Sequence, residues 1–131
     1  MIYGGGATSA VAYRWKAQIN ENAKLAAFSA ELPEADHNEI CAYESPGPLS
    51  AVFLEDPAGH PRIRKRMELT AGVANRGAKA VERLEGRGET ALERVMSLVL
   101  LGDLVSVYLA ALEGVDPTPI DTLDRFKAAL G

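Results

Sequence analysis

The sequence has few of the residues that build disulfide-linked or metal-bound proteins. It contains one cysteine, Cys41, so no disulfide can form within the chain. We expect this cysteine to act as a small buried hydrophobe rather than as a nucleophile. The two histidines, His37 and His60, lie far apart in the chain and give no spacing typical of a zinc site. We therefore expect no metal and no disulfide framework.

Positive charge and long apolar runs are also scarce. The 14 basic and 18 acidic residues give a net charge of −4, which does not attract nucleic acid. The basic cluster 62–66 is interpreted as the solvated face of a helix. No basic segment typical of a signal peptide follows Met1. We expect a cytoplasmic protein that does not enter a membrane, because polar residues and a glycine interrupt the longest apolar run, 95–112, at Ser97, Gly102, Asp103 and Ser106.

What remains is an ordinary composition for one domain with a core: 131 residues, 47% hydrophobic and 24% charged. Apolar runs and helical periodicities alternate along the chain, and glycines and prolines separate them. This alternation predicts an α/β fold, a three-layer α/β/α sandwich around a parallel sheet. The predicted strands are 1–3, 49–54 and 79–84, and the predicted helices are 8–24, 60–75, 90–113 and 120–130.

The predicted helices differ in their apolar faces. The first has a single buried stripe of Val11, Trp15 and Ile19. The helix 90–113 is apolar almost all round, so we expect neighbours to bury it on more than one side. The last helix is amphipathic, and we expect it to turn its apolar side inward with Ile120, Leu123, Phe126 and Leu130.

A dense polar cluster ends the first helix. Glu21 could serve as a general base, since such a base needs a carboxylate at the edge of a cleft. Its neighbours Asn20 and Asn22 could hydrogen-bond a polyol. The alternative is a surface acid paired with Lys24. The cluster consists of Gln18, Asn20, Glu21, Asn22 and Lys24.

Other residues leave similar alternatives open. His37 follows a turn-forming acidic stretch and is either an acid/base group or a loop residue without a role. Gly4-Gly5-Gly6 is either a tight strand-to-helix turn or an approach for an anion. Thr118, held between two prolines, could donate a hydroxyl or only form a turn. Lys127 on the last helix is either solvated or near a site, and His60 is interpreted as a turn or helix cap.

Five segments in order carry a family resemblance. They are Ala-Tyr-Arg-Trp-Lys-Ala-Gln-Ile-Asn-Glu-Asn-Ala-Lys (12–24), Leu-Pro-Glu-Ala-Asp-His-Asn-Glu-Ile (32–40), His-Pro-Arg-Ile-Arg-Lys-Arg (60–66), Leu-Leu-Gly-Asp-Leu-Val-Ser-Val-Tyr-Leu-Ala (100–110) and Gly-Val-Asp-Pro-Thr-Pro-Ile (114–120). Together they resemble the C-terminal sugar isomerase (SIS) domain of bacterial and archaeal bifunctional phosphoglucose/phosphomannose isomerases. The resemblance covers essentially all of residues 1–131, as a single SIS domain.

The resemblance implies an aldose–ketose isomerase that interconverts glucose 6-phosphate or mannose 6-phosphate with fructose 6-phosphate without a cofactor. It implies that Glu21 shuttles a proton between C1 and C2 through a cis-enediol. It implies that His37, from the partner subunit of a homodimer, helps to open the ring, and that Lys127 lies near the site. We expect Asn20, Asn22, Asn38 and Thr118 to contact the phosphorylated hexose.

One part of the family pattern is absent. Nothing here matches the Ser-Gly-x-Thr phosphate loop that the resemblance places in a second, N-terminal SIS domain. Because remote phosphate binding positions the reacting carbons, we expect little activity from this chain alone. The alternative is a free-standing SIS domain that binds a sugar phosphate or a protein partner in a regulatory or dimerising role.

Overall fold

A four-stranded parallel sheet forms the centre of the computed structural model, which describes all residues 1–131. The spatial order is β2-β1-β3-β4. Ile2 of β1 is aligned with Ser29 of β2 and with Val52 of β3, and Ala51 of β3 is aligned with Val81 of β4. The strands are β1 (Ile2–Gly5), β2 (Ser29–Leu32), β3 (Ala51–Glu55) and β4 (Val81–Glu85).

Helices cover both faces of the sheet, so the predicted three-layer α/β/α architecture is confirmed. One apolar cluster, which includes Phe53 and Met67, lies between the sheet and α2. The other, which includes Trp15 and Leu98, lies between the sheet and the pair α1 and α3. The helices are α1 (Ser9–Asn22), α2 (Pro61–Gly77), α3 (Ala91–Leu112) and α4 (Asp121–Leu130), with short 3-10 turns at Gly6–Thr8, Glu34–His37 and Glu39–Tyr43.

The Gly4-Gly5-Gly6 stretch makes a tight turn from β1 into α1. A Cβ at Gly4 would lie 2.4 Å from the main-chain oxygen of Thr8, and Gly6 has a φ of +60°, where side chains are disfavoured. The buried Thr8 hydroxyl donates to the Leu54 carbonyl at 2.7 Å and accepts from the Gly5 N–H at 2.9 Å. Close packing at Gly4 and Gly5 and the left-handed backbone at Gly6 are therefore enough to explain these glycines.

Helix α3 is packed on one side only. Thr90 and Glu93 form a capping box at its start, and its buried side includes Leu98, Gly102 and Ala110. The opposite side is an exposed apolar stripe, so the expectation of burial on more than one side is wrong for this chain. We call this surface the α3 stripe, and it consists of Leu92, Met96, Leu100, Leu101, Leu104, Val107, Tyr108 and Leu112.

The length and hydropathy of α3 can be compared with those of a membrane-spanning helix. With 22 residues and a mean hydropathy of 2.1, it is long and apolar enough to cross a membrane by length and composition alone. The expectation that no apolar run reaches that length is therefore wrong. Its contacts are those of a helix in an α/β layer, because Asp103 is paired with Arg14 at 2.8 Å and Ser106 is buried against α1.

Three further expectations differ from the structure. Helix α4 forms as predicted but does not turn its apolar side inward, because no other part of the chain covers Leu123, Phe126 or Leu130. Strand β2 was not predicted, since it is a four-residue edge strand in which Leu32 alone is buried. Cys41 is exposed rather than buried, because it lies on the outer side of a 3-10 turn.

Candidate functional site

The end of α1 forms one wall of a cleft of about 800 Å³. The opposite wall is the segment that follows α3 and leads into α4. Helix α1 is held in place by α3, since the Trp15 indole N–H donates to the Leu98 carbonyl at 2.8 Å. The lining side chains include Lys16, Asn20, Glu21, Lys24, Asp116 and Arg125.

Glu21 is one of the residues that line this cleft. It lies on the last turn of α1, is exposed, and makes no side-chain hydrogen bond or ion pair within the chain. The alternative of a surface acid paired with Lys24 does not describe this geometry, because the Lys24 ammonium bonds to the main-chain carbonyl of Glu21 instead. A carboxylate at a cleft edge without a protein partner is free to take a proton from a bound molecule.

The two asparagines beside Glu21 make bonds within the fold. The Asn20 amide donates to the Leu25 carbonyl at 2.7 Å and closes the end of α1, although the residue also lines the cleft. The Asn22 amide donates to the Ser106 hydroxyl of α3 at 2.8 Å and lies outside the cleft lining. Asn20 therefore lines the cleft, whereas Asn22 joins two helices.

The far wall of the cleft is a turn closed by Asp116. Its carboxylate accepts from the Thr118 N–H at 2.8 Å, and this bond, followed by one from the Thr118 hydroxyl, holds the pKa of Asp116 below its usual value. Thr118 itself is exposed and does not line the cleft, and neither does Lys127. Lys127 lies one turn along α4 from Leu123, which does line it, so both are on one side of the helix.

His37 lies far from Glu21 within one chain. The Ser9 hydroxyl bonds Glu31 of β2 at 2.9 Å, so the carboxyl end of β2, which leads to His37, lies beside the start of α1. Glu21 is at the other end of that helix, about 18 Å away along its axis. Asp36 bonds Arg66 of α2 at 2.6 Å, which places the His37 turn on the opposite side of the sheet.

The residues predicted from sequence therefore fall into two groups. Glu21 and Asn20 lie together in the cleft, with Thr118 and Lys127 just outside its far wall. His37 and Asn38 form a separate exposed group, in which the Asn38 side chain accepts from the Glu39 N–H at 2.8 Å. His60 caps α2 as expected, since its Nδ1 accepts from the Arg62 N–H at 3.2 Å.

The sequence analysis missed the other charged groups of the cleft. Lys16 lies one turn and a fraction before Glu21 on α1, while Asp121 and Arg125 come from the first turns of α4. Helical spacing from Asn20, four residues later, could have indicated Lys16. No pattern in the local sequence indicates that the start of α4 lies near α1, because the two helices are far apart in the sequence. The structure contains no group of three or more histidine, cysteine, aspartate or glutamate side chains that could hold a metal ion.

Comparison with known families gives a match along the whole fold. The model of the bacterial phosphoglucose isomerase C-terminal SIS domain matches residues 1–130. The chain belongs to this family. The match includes both the end of α1 that carries Glu21 and the turn that carries His37, so the SIS domain accounts for all the elements described above.

The relatives of this SIS domain are longer proteins. A bifunctional phosphoglucose/phosphomannose isomerase from Caldicellulosiruptor bescii is 40% identical over 135 residues, which cover 99% of this chain and 40% of the relative. One from Aquifex aeolicus is 36% identical over 133 residues, which cover 99% of this chain and 42% of the relative. The chain thus spans about two fifths of the length of these relatives.

A solved structure shows the same fold at lower identity. A glucose-6-phosphate isomerase-like protein from Thermus thermophilus superposes with a TM-score of 0.75 at 22% sequence identity. The match covers 95% of this chain and 41% of the other. It supports the SIS architecture alone, since the two sequences are distant.

Proposed function

We propose that this chain is the domain of a phosphoglucose/phosphomannose isomerase that supplies the proton-transferring carboxylate. The observation that carries the proposal is Glu21, an exposed acid that lines a cleft of about 800 Å³ and whose carboxylate has no partner in the chain. Family membership and the names of the relatives give the substrate class, phosphorylated hexoses.

The chemistry needs one base that both takes and returns a proton. In the proposed reaction the Glu21 carboxylate removes the proton on C2 of the open-chain aldose, the electrons of that bond form a C1=C2 double bond, and the π pair of C1=O moves to O1, which takes a proton from water to give a cis-enediol. The O2 proton then leaves to water, a C2=O double bond forms, and the C1=C2 electrons take the proton back from the Glu21 carboxyl group at C1, which gives the ketose. A single carboxylate with no competing ion pair suits this two-way transfer.

His37 is proposed to help open the sugar ring in a site shared between two subunits. One chain cannot supply both groups to one hexose, because about 18 Å of helix and the thickness of the sheet separate them. A homodimer in which His37 of one copy approaches Glu21 of the other would meet the requirement.

We also propose that a second SIS domain completes the protein and covers the α3 stripe. Eight large apolar residues of α3 are exposed, with Leu112 at 81% and Leu92 at 70%. Exposed apolar surfaces of this kind are typical of protein interfaces. The second domain would also hold the substrate phosphate, so we expect the chain alone to turn over little substrate. We place the protein in the cytoplasm, with no cofactor in the reaction.

A domain replacement tests the proposal. The corresponding part of the Caldicellulosiruptor bescii relative is replaced by residues 1–131, and formation of fructose 6-phosphate from glucose 6-phosphate and mannose 6-phosphate is measured. We expect activity from the chimera and little from the chain alone. Glu21→Gln should lower kcat at least about a hundredfold, whereas Glu82→Gln, on an exposed acid of β4, should leave it unchanged. Full activity of Glu21→Gln would overturn the assignment.

Mixing variants tests the shared site. Chimeras with Glu21→Gln and with His37→Ala are each expected to be weak. After they are unfolded and refolded together, one site in each mixed dimer regains both groups, so about a quarter of the activity should return if dimers form at random. Activity that does not return would show that His37 and Glu21 do not meet across subunits.

The second candidate is a free-standing SIS domain with a regulatory or dimerising role. The exposed α3 stripe is the observation that favours it, because a large interface serves binding as well as catalysis. An inactive chimera, together with binding of fructose 6-phosphate to the chain measured by calorimetry, would support this candidate over the isomerase.

A further inference from the structure

One lysine joins the last part of the chain to the rest of the protein. The Lys24 ammonium donates to the Glu21 carbonyl at the end of α1 and to the Pro119 carbonyl at 2.8 Å, across 95 positions of sequence. Every other hydrogen bond of residues 115–131 stays within that segment or reaches only the last turns of α3. The same residues form no ion pair.

Packing holds this segment only in part, since Val115, Pro117 and Ile120 are half-buried and none of residues 115–131 is fully buried. Helix α4 has no buried residue, and its apolar side chains Leu123, Phe126 and Leu130 are exposed. The far wall of the Glu21 cleft, including Asp116 and Asp121, therefore depends on Lys24 for its position relative to α1.

The backbone at Lys24 indicates that its side chain is needed. Its φ of +58° lies in the left-handed region, and it is the only residue other than glycine with a positive φ. At this position after a helix, glycine is the preferred residue because it has no Cβ. Glycine would relieve the backbone but could not make either bond of the Lys24 ammonium. A conformational cost kept in place by specific contacts is typical of a functional position.

We propose that Lys24 is a positioning residue of the active site. It fixes the distance between the α1 end that carries Glu21 and the 116–123 wall that leads to Lys127. The catalytic consequence rests on the proposed isomerase function, whereas the tether itself does not. A base and its substrate must be aligned closely for proton transfer. If the far wall of the cleft is no longer held in place, kcat should therefore fall by more than the substrate affinity changes.

Hydrogen exchange tests the tether without any catalysis. In the chain itself, Lys24→Met should speed exchange of the amides of Val115 and Thr118 about fivefold, the effect of one lost hydrogen bond. Exchange in the sheet and α2 should not change. Lys24→Gly should do the same even though it relieves the left-handed backbone. Lys24→Arg, which keeps a cationic donor, should give a smaller effect. Lys79→Met is the matched control, since Lys79 is exposed and its side chain makes no bond.

Kinetics of the same variants in the chimera test the positioning role. We expect Lys24→Met and Lys24→Gly to lower kcat about tenfold or more with little change in KM, and Lys24→Arg to recover part of the rate. Exchange that is unchanged in both Lys24→Met and Lys24→Gly would overturn the tether. Faster exchange with a normal kcat would overturn the positioning role. If the chimera is inactive, the isomerase proposal fails, and exchange alone decides whether Lys24 is the tether.

Discussion

A close contact between α1 and α3 gives a test of the packing described above. Gly102 of α3 lies against the indole of Trp15, and a Cβ added there would be 2.2 Å from the indole Nε1. Trp15 is 3% exposed, so its ring cannot move without disturbing the core. The same indole N–H donates to the Leu98 carbonyl at 2.8 Å. Gly102→Ala must therefore displace the ring and break that bond.

The expected cost follows from three effects of different sign. Overpacking a tight core site costs about 1–3 kcal/mol, and a buried N–H left without an acceptor costs about 1–3 kcal/mol. Replacing glycine by alanine inside a helix returns about 1 kcal/mol. We expect Gly102→Ala to lower the free energy of unfolding by about 3 kcal/mol. For a chain of 131 residues that corresponds to a fall in Tm of about 10 °C.

Gly72 provides the matched control. It is also inside a helix, α2, but no atom lies within 4 Å of a Cβ built there. Gly72→Ala should therefore raise stability by about 0.5–1 kcal/mol through helix propensity and reduced freedom of the unfolded chain. The same substitution at two helical glycines is thus expected to have opposite signs.

Urea unfolding followed by circular dichroism measures both variants, and fluorescence reports directly on Trp15, the single tryptophan. A Gly102→Ala variant as stable as the wild type would refute the close contact. A double-mutant cycle identifies the partner. Where Trp15→Leu has already removed the indole, Gly102→Ala should cost about 2 kcal/mol less than in the wild type.

Three other substitutions test the polar contacts of the core. Thr8→Val removes a buried donor to a β3 carbonyl and should cost about 2–3 kcal/mol in urea unfolding; unchanged stability would contradict that bond. Arg94→Met leaves the Asp56 carboxylate, which is 12% exposed, without its cation and should cost about 3 kcal/mol, seen as a lower Tm. The hydrogen bond from Arg14 holds the pKa of Asp103 below its usual value, so its stabilising effect is present at pH 7 and is lost as the pH falls through that lowered pKa. Asp103→Asn should therefore be less stable than the wild type at pH 7, and the difference should shrink below about pH 4; a gap of equal size at both pH values would contradict the shift.

The layers of the fold could be predicted because patterns over a few neighbouring residues indicate the strands and helices that form them. Apolar runs that end at glycine or proline indicated β1 and β3, Gly86 and Gly88 indicated the end of β4, and the stripe with Val11 and Trp15 indicated α1. Strand β2 was not predicted from the sequence, because its four residues include the half-buried Ser29 and the exposed Glu31. A short edge strand is defined by its neighbour in the sheet, and the sequence around it carries no strong period.

The candidate site was predictable only in part, for a related reason. The polar cluster at the end of α1 identified Glu21, since its composition is visible within two helical turns. The role of Lys24 was not visible, because its acceptor, Pro119, lies at the other end of the chain. The same holds for Asn22, whose partner Ser106 belongs to α3. The role of a residue that bonds to a distant part of the sequence can be assigned only once the fold is known.

The features that the chain leaves unsatisfied have one common explanation. The α3 stripe and the apolar side of α4 are apolar surfaces of a kind that proteins usually bury. No part of residues 1–131 buries them. Glu21 and His37 are proposed to act in one site, yet the sheet separates them. A monomer of this length satisfies neither requirement, whereas contact with further SIS domains would satisfy both. Formation of these contacts should then affect both stability and catalysis, because one would bury the apolar stripes and the other would bring Glu21 and His37, in their proposed roles, within reach of one hexose.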